Sequence, residues 1–145
     1  MSVYADETAA AIEALGAEID RAAVERAWDF AVATQWTADP QWFHGDVAAD
    51  NLITRNGQLT AVIDFGTSGI GDPACDTVIA WTHFDDSSRA AFRRTINIDD
   101  DTWARGRGWA LWKALITMVK QLEHNDGRGA TISRVVINRA VSELG

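Results

Sequence analysis

His44-Gly45-Asp46-Val47-Ala48-Ala49-Asp50-Asn51 is answered, thirteen residues after Asn51, by Asp64-Phe65-Gly66. Between them, Leu52-Ile53-Thr54 and Leu59-Thr60-Ala61-Val62-Ile63 are short apolar runs separated by Asn56-Gly57. Asn-Gly supplies two residues that tolerate positive φ, so the pattern predicts a tight β-hairpin. A hairpin returns the chain beside its own start, and this one is expected to bring Asp64 within side-chain reach of Asn51. The residue types then suggest a chemistry. One carboxylate, Asp46, can orient a hydroxyl nucleophile, while the amide oxygen of Asn51 and the carboxylate of Asp64 are hard donors suited to magnesium on a nucleotide.

Helical patterns flank this stretch on both sides. Upstream, Ala9, Ile12 and Leu15 recur at helical spacing behind Asp6, with Gly16 as a stop. A second helix is expected from Asp20, its cap, through Val24, Ala27, Trp28, Ala31 and Val32 to the Ala38-Asp39-Pro40 break. Downstream, Thr67 to Gly71 reads as a loop, and Asp72-Pro73 has the chemistry of a helix start, for a helix running to about Phe84. Asp86-Ser87-Ser88 and Asp99-Asp100-Asp101 would open two further helices, the second carrying Trp103, Trp109, Trp112 and Leu115. Asn125-Asp126-Gly127 would end it, leaving a last helix from about Thr131 to Leu144. One hairpin cannot supply a sheet to pack on, so the fold is expected to be mainly α with one small β-hairpin, as a single domain over residues 1–145.

Composition narrows the classes of function. The chain has 145 residues, is 47% hydrophobic and 23% charged, and carries a net charge of -8. That is apolar enough to bury a core. The acidity argues against sequence-independent nucleic-acid binding, which needs a basic face. It suits a cationic small substrate, though it is equally a common solubility device. The single Cys75 precludes an internal disulfide, and no Cys/His cluster has zinc spacing. No stretch reaches the roughly 18 apolar residues of a membrane span, and the N-terminus lacks a signal-peptide pattern. A reducing cytoplasm is the expected location.

Taken together, HGDVAADN, VIDFG and GIGDPACD resemble the C-terminal lobe of the aminoglycoside phosphotransferase family of small-molecule kinases, relatives of protein kinases. The protein-kinase pattern His-Arg-Asp-x-x-x-x-Asn and Asp-Phe-Gly is matched by His44, Gly45 in place of arginine, Asp46, Asn51 and Asp64-Phe65-Gly66. The resemblance implies a protein-kinase-like α+β fold, with a catalytic loop at 44–51 and a metal-binding segment at 64–66. It implies ATP-dependent O-phosphotransfer to a small hydroxylated substrate, with Asp46 as catalytic aspartate and Asn51 and Asp64 as ligands of Mg²⁺ bridging the phosphates of ATP. His44 would brace the loop, Asp76 would fasten it through backbone amides, and Asp72 would cap a helix. Asp50 departs from the glycine found in many relatives.

The same resemblance draws attention to what these residues do not include. The family's N-terminal lobe contributes a phosphate-covering loop and a lysine held by a glutamate, whereas the only lysines here are Lys113 and Lys120, both in the long helix. Nothing before Pro40 reads as a glycine-rich strand-turn-strand. The chain is therefore expected to correspond to the C-lobe alone, weak in nucleotide binding and kinase activity until a lobe partner is supplied. A surface near Phe43, Leu52 and Phe65 is expected to be left open to that partner or to self-association. The competing reading is a non-catalytic or vestigial binding module on the same fold. Relatives of this kind act on diverse acceptors, and acidic residues and tryptophans between Asp99 and Trp112 are candidates for the pocket wall.

Overall fold

A computed structural model describes residues 1–142. Its organising element is the long helix α5 (Asp100–Glu123), against which α1 (Ala5–Leu15), α2 (Arg21–Val32) and α6 (Gly127–Ser142) all pack. Two short helices, α3 (Ile79–Thr82) and α4 (Asp86–Ile96), complete the helical body. Leu111, Leu115 and Met118 of α5 are fully buried with Val24, Trp81 and Ile137 from the surrounding helices. Each such side chain contributes about 1.5–3 kcal/mol of transfer free energy, so this layer is where the fold is held.

Local chemistry explains where the helices start and stop. The carboxylates of Asp20, Asp85 and Asp99 accept hydrogen bonds from the N–H groups of Ala23, Ser88 and Thr102, the orphan donors of each first turn. Asp6 makes no such cap; α1 begins one residue earlier, behind Tyr4. For α4 the cap is Asp85, one residue before the expected Asp86. Asn97 ends α4 in the left-handed conformation with φ 48°. The last helix begins a turn earlier than expected, at Gly127, because the Asp126 carboxylate accepts from Gly129 N–H at 2.9 Å. Leu144 lies outside the described residues.

The expected hairpin is present as β2 (Leu52–Arg55) and β3 (Gln58–Val62), with a register irregularity between Ile53 and Thr54. A second antiparallel pair joins β1 (Gln41–Phe43) to β4 (Gly69–Gly71), so Thr67–Gly71 is not all loop. Alternation could not reveal it, because two of the three β4 residues are glycines. Their role is close approach: a Cβ at Gly69 would lie 2.8 Å from Cζ of Phe43. The fold is still mainly helical, with small strand pairs carrying no continuous sheet.

The helix expected from Pro73 to Phe84 is instead a 3-10 segment, Pro73–Val78, followed by the single turn α3. This segment sits directly on α5. Gly106 makes that possible, since a Cβ there would fall 1.8 Å from Thr77 Oγ1 and 2.9 Å from the Ala74 carbonyl oxygen. Gly106→Ala should therefore destabilise the protein by about 1–3 kcal/mol despite alanine's better helix propensity. A denaturant midpoint that stays constant or rises would contradict this packing.

The exposed apolar groups differ partly from expectation. Phe65 is 59% exposed, but Phe43 and Leu52 are only partly so, and the larger exposure falls on Trp42 and its cross-strand partner Ile70. Phe43 turns inward onto the glycines of β4. Among the described residues no helix is long and apolar enough to cross a membrane.

Candidate active site

The loop from His44 to Asn51 is tied down by hydrogen bonds to residues far along the chain. Both oxygens of Asp76 are used, Oδ2 accepting from His44 N–H at 2.8 Å and Oδ1 from Gly45 N–H at 2.7 Å. His44 is buried, and its two ring nitrogens are both engaged: Nδ1 accepts from Asp46 N–H at 3.2 Å and Nε2 faces the Ile63 carbonyl at 2.9 Å. One tautomer satisfies both, with the proton on Nε2. The imidazole also packs on Phe65 with ring centroids 4.6 Å apart. His44 thus links the loop to the end of β3 and to Asp64-Phe65-Gly66.

Gly45 has a backbone reason for its identity. Its φ is 85°, and a Cβ would lie 2.4 Å from the Thr67 carbonyl oxygen. No larger residue fits at that position without moving the loop. Thr67 Oγ1 in turn donates to the His44 carbonyl at 3.2 Å, closing the loop from the other side.

Asp46 and Asn51 are brought together directly. The Asn51 amide nitrogen donates to the Asp46 backbone carbonyl at 2.9 Å and to its carboxylate at 3.3 Å, which leaves the amide oxygen of this buried residue pointing elsewhere. The Asn51 carbonyl also accepts from Ile63 N–H at 3.0 Å, so Asp64 enters next to the loop as the hairpin returns. Asp64 is exposed, adopts the left-handed conformation with φ 62°, and its carboxylate makes no hydrogen bond or ion pair among the described residues. No hydrogen bond joins Asp64 to Asp46 or Asn51; the backbone alone holds them adjacent. An amide oxygen and an uncompensated carboxylate are a donor set that fits a hard divalent cation. No group of three His, Cys, Asp or Glu side chains with metal-binding placement occurs among the described residues, so further ligands would have to come from solvent or a bound nucleotide.

Two contributors were not legible as site residues. Lys113 on α5 donates to Asp46 Oδ1 at 2.7 Å. This hydrogen bond, supported by Asn51 and opposed by partial burial, holds the Asp46 carboxyl below the usual carboxylate range. Asp46 therefore keeps its charge above the ordinary carboxylate pKa and loses it only as the pH falls through the depressed value. The pair is largely open to solvent, so it orients the carboxylate more than it stabilises the fold. The second is Arg105, buried, whose Nε donates to Asp72 Oδ2 at 2.7 Å while Asp72 Oδ1 accepts from Ala74 N–H at 3.1 Å. Asp72 thus caps the 3-10 segment and anchors it to α5.

Beside Asp46 lies a cavity of about 720 Å³. Phe43 and Val47 line it from the loop side, and Trp109, Trp112, Lys113 and Ile116 from α5. Of the tryptophans expected in a pocket wall, Trp109 and Trp112 line this cavity, whereas Trp103 is buried against Trp81 with centroids 4.5 Å apart. Asp99, Asp100 and Asp101 border a separate depression beside Gln35 to Ala38. Cys75 also lines the cavity; burial, with the charges of Asp76 and Asp72, pushes its thiol up to about 12, so it is no nucleophile at neutral pH.

The model of APH, the phosphotransferase enzyme family, matches residues 3–109. The solved apo form of a thermostable mutant of aminoglycoside phosphotransferase APH(4)-Ia superposes with a TM-score of 0.57 at 22% identity, covering 86% of this chain and 44% of that one. A ternary complex of the same enzyme with AMP-PNP and hygromycin B gives a TM-score of 0.57 at 23% identity, with the same coverage. At such identity the structural likeness is one of fold, and the chain spans less than half the length of these structures. No curated protein matches it significantly by sequence. The mainly helical body with its small strand pairs is the corresponding part of that kinase-like fold, and the chain belongs to the APH phosphotransferase enzyme family.

Proposed function

We propose that this chain is the acceptor-binding and catalytic lobe of an ATP-dependent O-phosphotransferase acting on a small hydroxylated substrate. The observation that carries the reading is the coupling of Asp46 to Asn51 within a loop clamped by Asp76, with the free carboxylate of Asp64 delivered next to it by the β2–β3 hairpin. Asp46 is the base that orients the acceptor hydroxyl and takes its proton. Its position at the rim of the cavity lets an acceptor reach it from the α5 side. Asn51 and Asp64 would hold Mg²⁺, which when bound neutralises charge on the transferring phosphoryl group. His44, Asp72 and Asp76 hold the loop and do no chemistry.

Membership of the family and the nucleotide and aminoglycoside complexes of APH(4)-Ia support this reading. A nucleotide clamp is a separate requirement. Neither lysine of the chain, Lys113 or Lys120, is placed to grip ATP, since both stand on α5 and Lys113 is bound to Asp46. Transfer should accordingly be very slow with these residues alone and rise when a glycine-rich lobe is supplied in cis or in trans. Titration calorimetry with Mg-ATP, with and without such a lobe, tests this. Tight nucleotide binding by residues 1–145 alone would refute the division of labour, and absence of any transfer in the complemented protein would refute the function.

A further inference from the structure

The cavity beside Asp46 has a charge balance that bears on its ligand. Its charged lining residues are Asp46, Asp72 and Lys113. Asp46 already holds the Lys113 ammonium at 2.7 Å, and Asp72 holds the Arg105 guanidinium at 2.7 Å. Each lining carboxylate thus has its own cation, and the uncompensated Asp64 stands outside the lining, on the hairpin side of the loop. An ammonium approaching Asp46 Oδ1 would be opposed by the Lys113 ammonium, 2.7 Å from that oxygen. The overall charge of -8 does not alter this, because it is distributed elsewhere, including the acidic run at Asp99 to Asp101 on a different depression.

The remaining wall is apolar and aromatic. Tyr4, Trp109 and Trp112 pack on one another with centroids 4.4, 5.2 and 5.5 Å apart. A cage for a quaternary ammonium needs rings separated so that the cation fits between their faces, with each centroid within about 6 Å of it. These three rings fill one another's space instead. They form a continuous wall, and the Glu7 carboxylate accepts from Trp112 Nε1 at 2.8 Å. Such a surface binds by burying apolar or ring-face area.

We propose that the acceptor is an uncharged hydroxylated molecule with an apolar or ring-shaped body, and that Lys113 excludes ammonium groups from the neighbourhood of Asp46. This rests on the phosphotransferase reading for the identity of the cavity as the acceptor site. It parts from the expectation of a cationic substrate, which overall acidity alone had suggested. Lys113 is a specificity-determining residue in this scheme: its ammonium occupies Asp46 Oδ1 and opposes a second cation there, leaving Oδ2, which has only the 3.3 Å contact with the Asn51 amide, to accept the hydroxyl proton.

The test is direct binding, which does not depend on turnover. The indole N–H resonances of Trp109 and Trp112, assigned by Trp→Phe substitution in ¹⁵N-labelled protein, would be followed against phenyl β-glucoside, its 2-amino-2-deoxy analogue, neomycin and choline. The neutral glycoside is expected to shift both resonances with a dissociation constant at least about tenfold below those of the three cations. Lys113→Met should strengthen the amino analogue about tenfold and change the neutral glycoside less than threefold, whereas Lys113→Arg should keep the parent's preference. Any cation binding at these indoles as tightly as the neutral glycoside, or a glycoside that leaves them unmoved, overturns the proposal. Selective neutral binding without phosphoryl transfer in the lobe-complemented protein would uphold the preference of the cavity for uncharged ligands and overturn the proposed function, and with it the ligand's role as acceptor.

Discussion

Asp46→Asn is expected to lower phosphoryl transfer about 10²–10⁴-fold in the lobe-complemented protein, the range by which a positioned general base accelerates proton transfer. The substitution is nearly isosteric, so the loop should persist: His44 keeps its bonds to Ile63 and to the residue 46 backbone, and the Asn51 amide keeps the backbone carbonyl it binds at 2.9 Å. What disappears is the capacity to accept a proton. The contact with Lys113 weakens too, because an amide oxygen carries no net charge. A loss in kcat with nucleotide affinity unchanged is the signature of a group acting in the transition state. Steady-state kinetics of parent and variant would measure it, and a variant retaining a tenth or more of the turnover would remove Asp46 from the role of base.

The second large effect is on the loop's support. Asp76→Ala removes the acceptor for two backbone N–H groups, His44 at 2.8 Å and Gly45 at 2.7 Å, both in partly buried surroundings. A hydrogen bond to a charged group contributes about 1.5–3 kcal/mol, and an abandoned buried donor adds its desolvation cost. A loss of about 3 kcal/mol is expected, or roughly 10 °C in melting temperature for a domain of this size. Asp76→Asn, with one acceptor oxygen left, should fall between. Hydrogen exchange at the amides of His44 and Gly45 should accelerate before global unfolding, since the site's opening becomes local. Melting within a degree or two of the parent would show that Gly45, held against Thr67, fixes the loop by itself.

Legibility followed sequence separation. The β2–β3 hairpin was readable because Asn56-Gly57 and two apolar runs lie within a dozen residues, and the pairing needs no distant partner. Caps at Asp20 and Asp72 were readable for the same reason, each carboxylate reaching only two or three residues ahead. The β1–β4 pair was not, because Gly69 and Gly71 carry no periodic signal and their partners are Phe43 and Gln41, reached only after the intervening hairpin. The break of the expected Pro73–Phe84 helix into a 3-10 segment was also hidden. It answers to Gly106 on α5, where the closeness of two backbones, not a local propensity, sets the geometry.

By itself the amino-acid sequence determined the family, the mainly helical class and the order of the loop, hairpin and Asp-Phe-Gly segment, because these reside in short-range patterns and the spacing of a few polar residues. Only the tertiary structure decided what surrounds them. Lys113 and Asp46 are 67 residues apart, and Arg105 and Asp72 are 33 apart, yet each pair meets at 2.7 Å. That meeting depends on the rotation of α5 about its own axis. Small residues set that rotation where the helix is crowded, Gly106 against Thr77 and Gly108 against Ala31. Turning α5 by one residue, about 100°, would carry Lys113 and the tryptophan wall away from the loop with every local pattern unchanged.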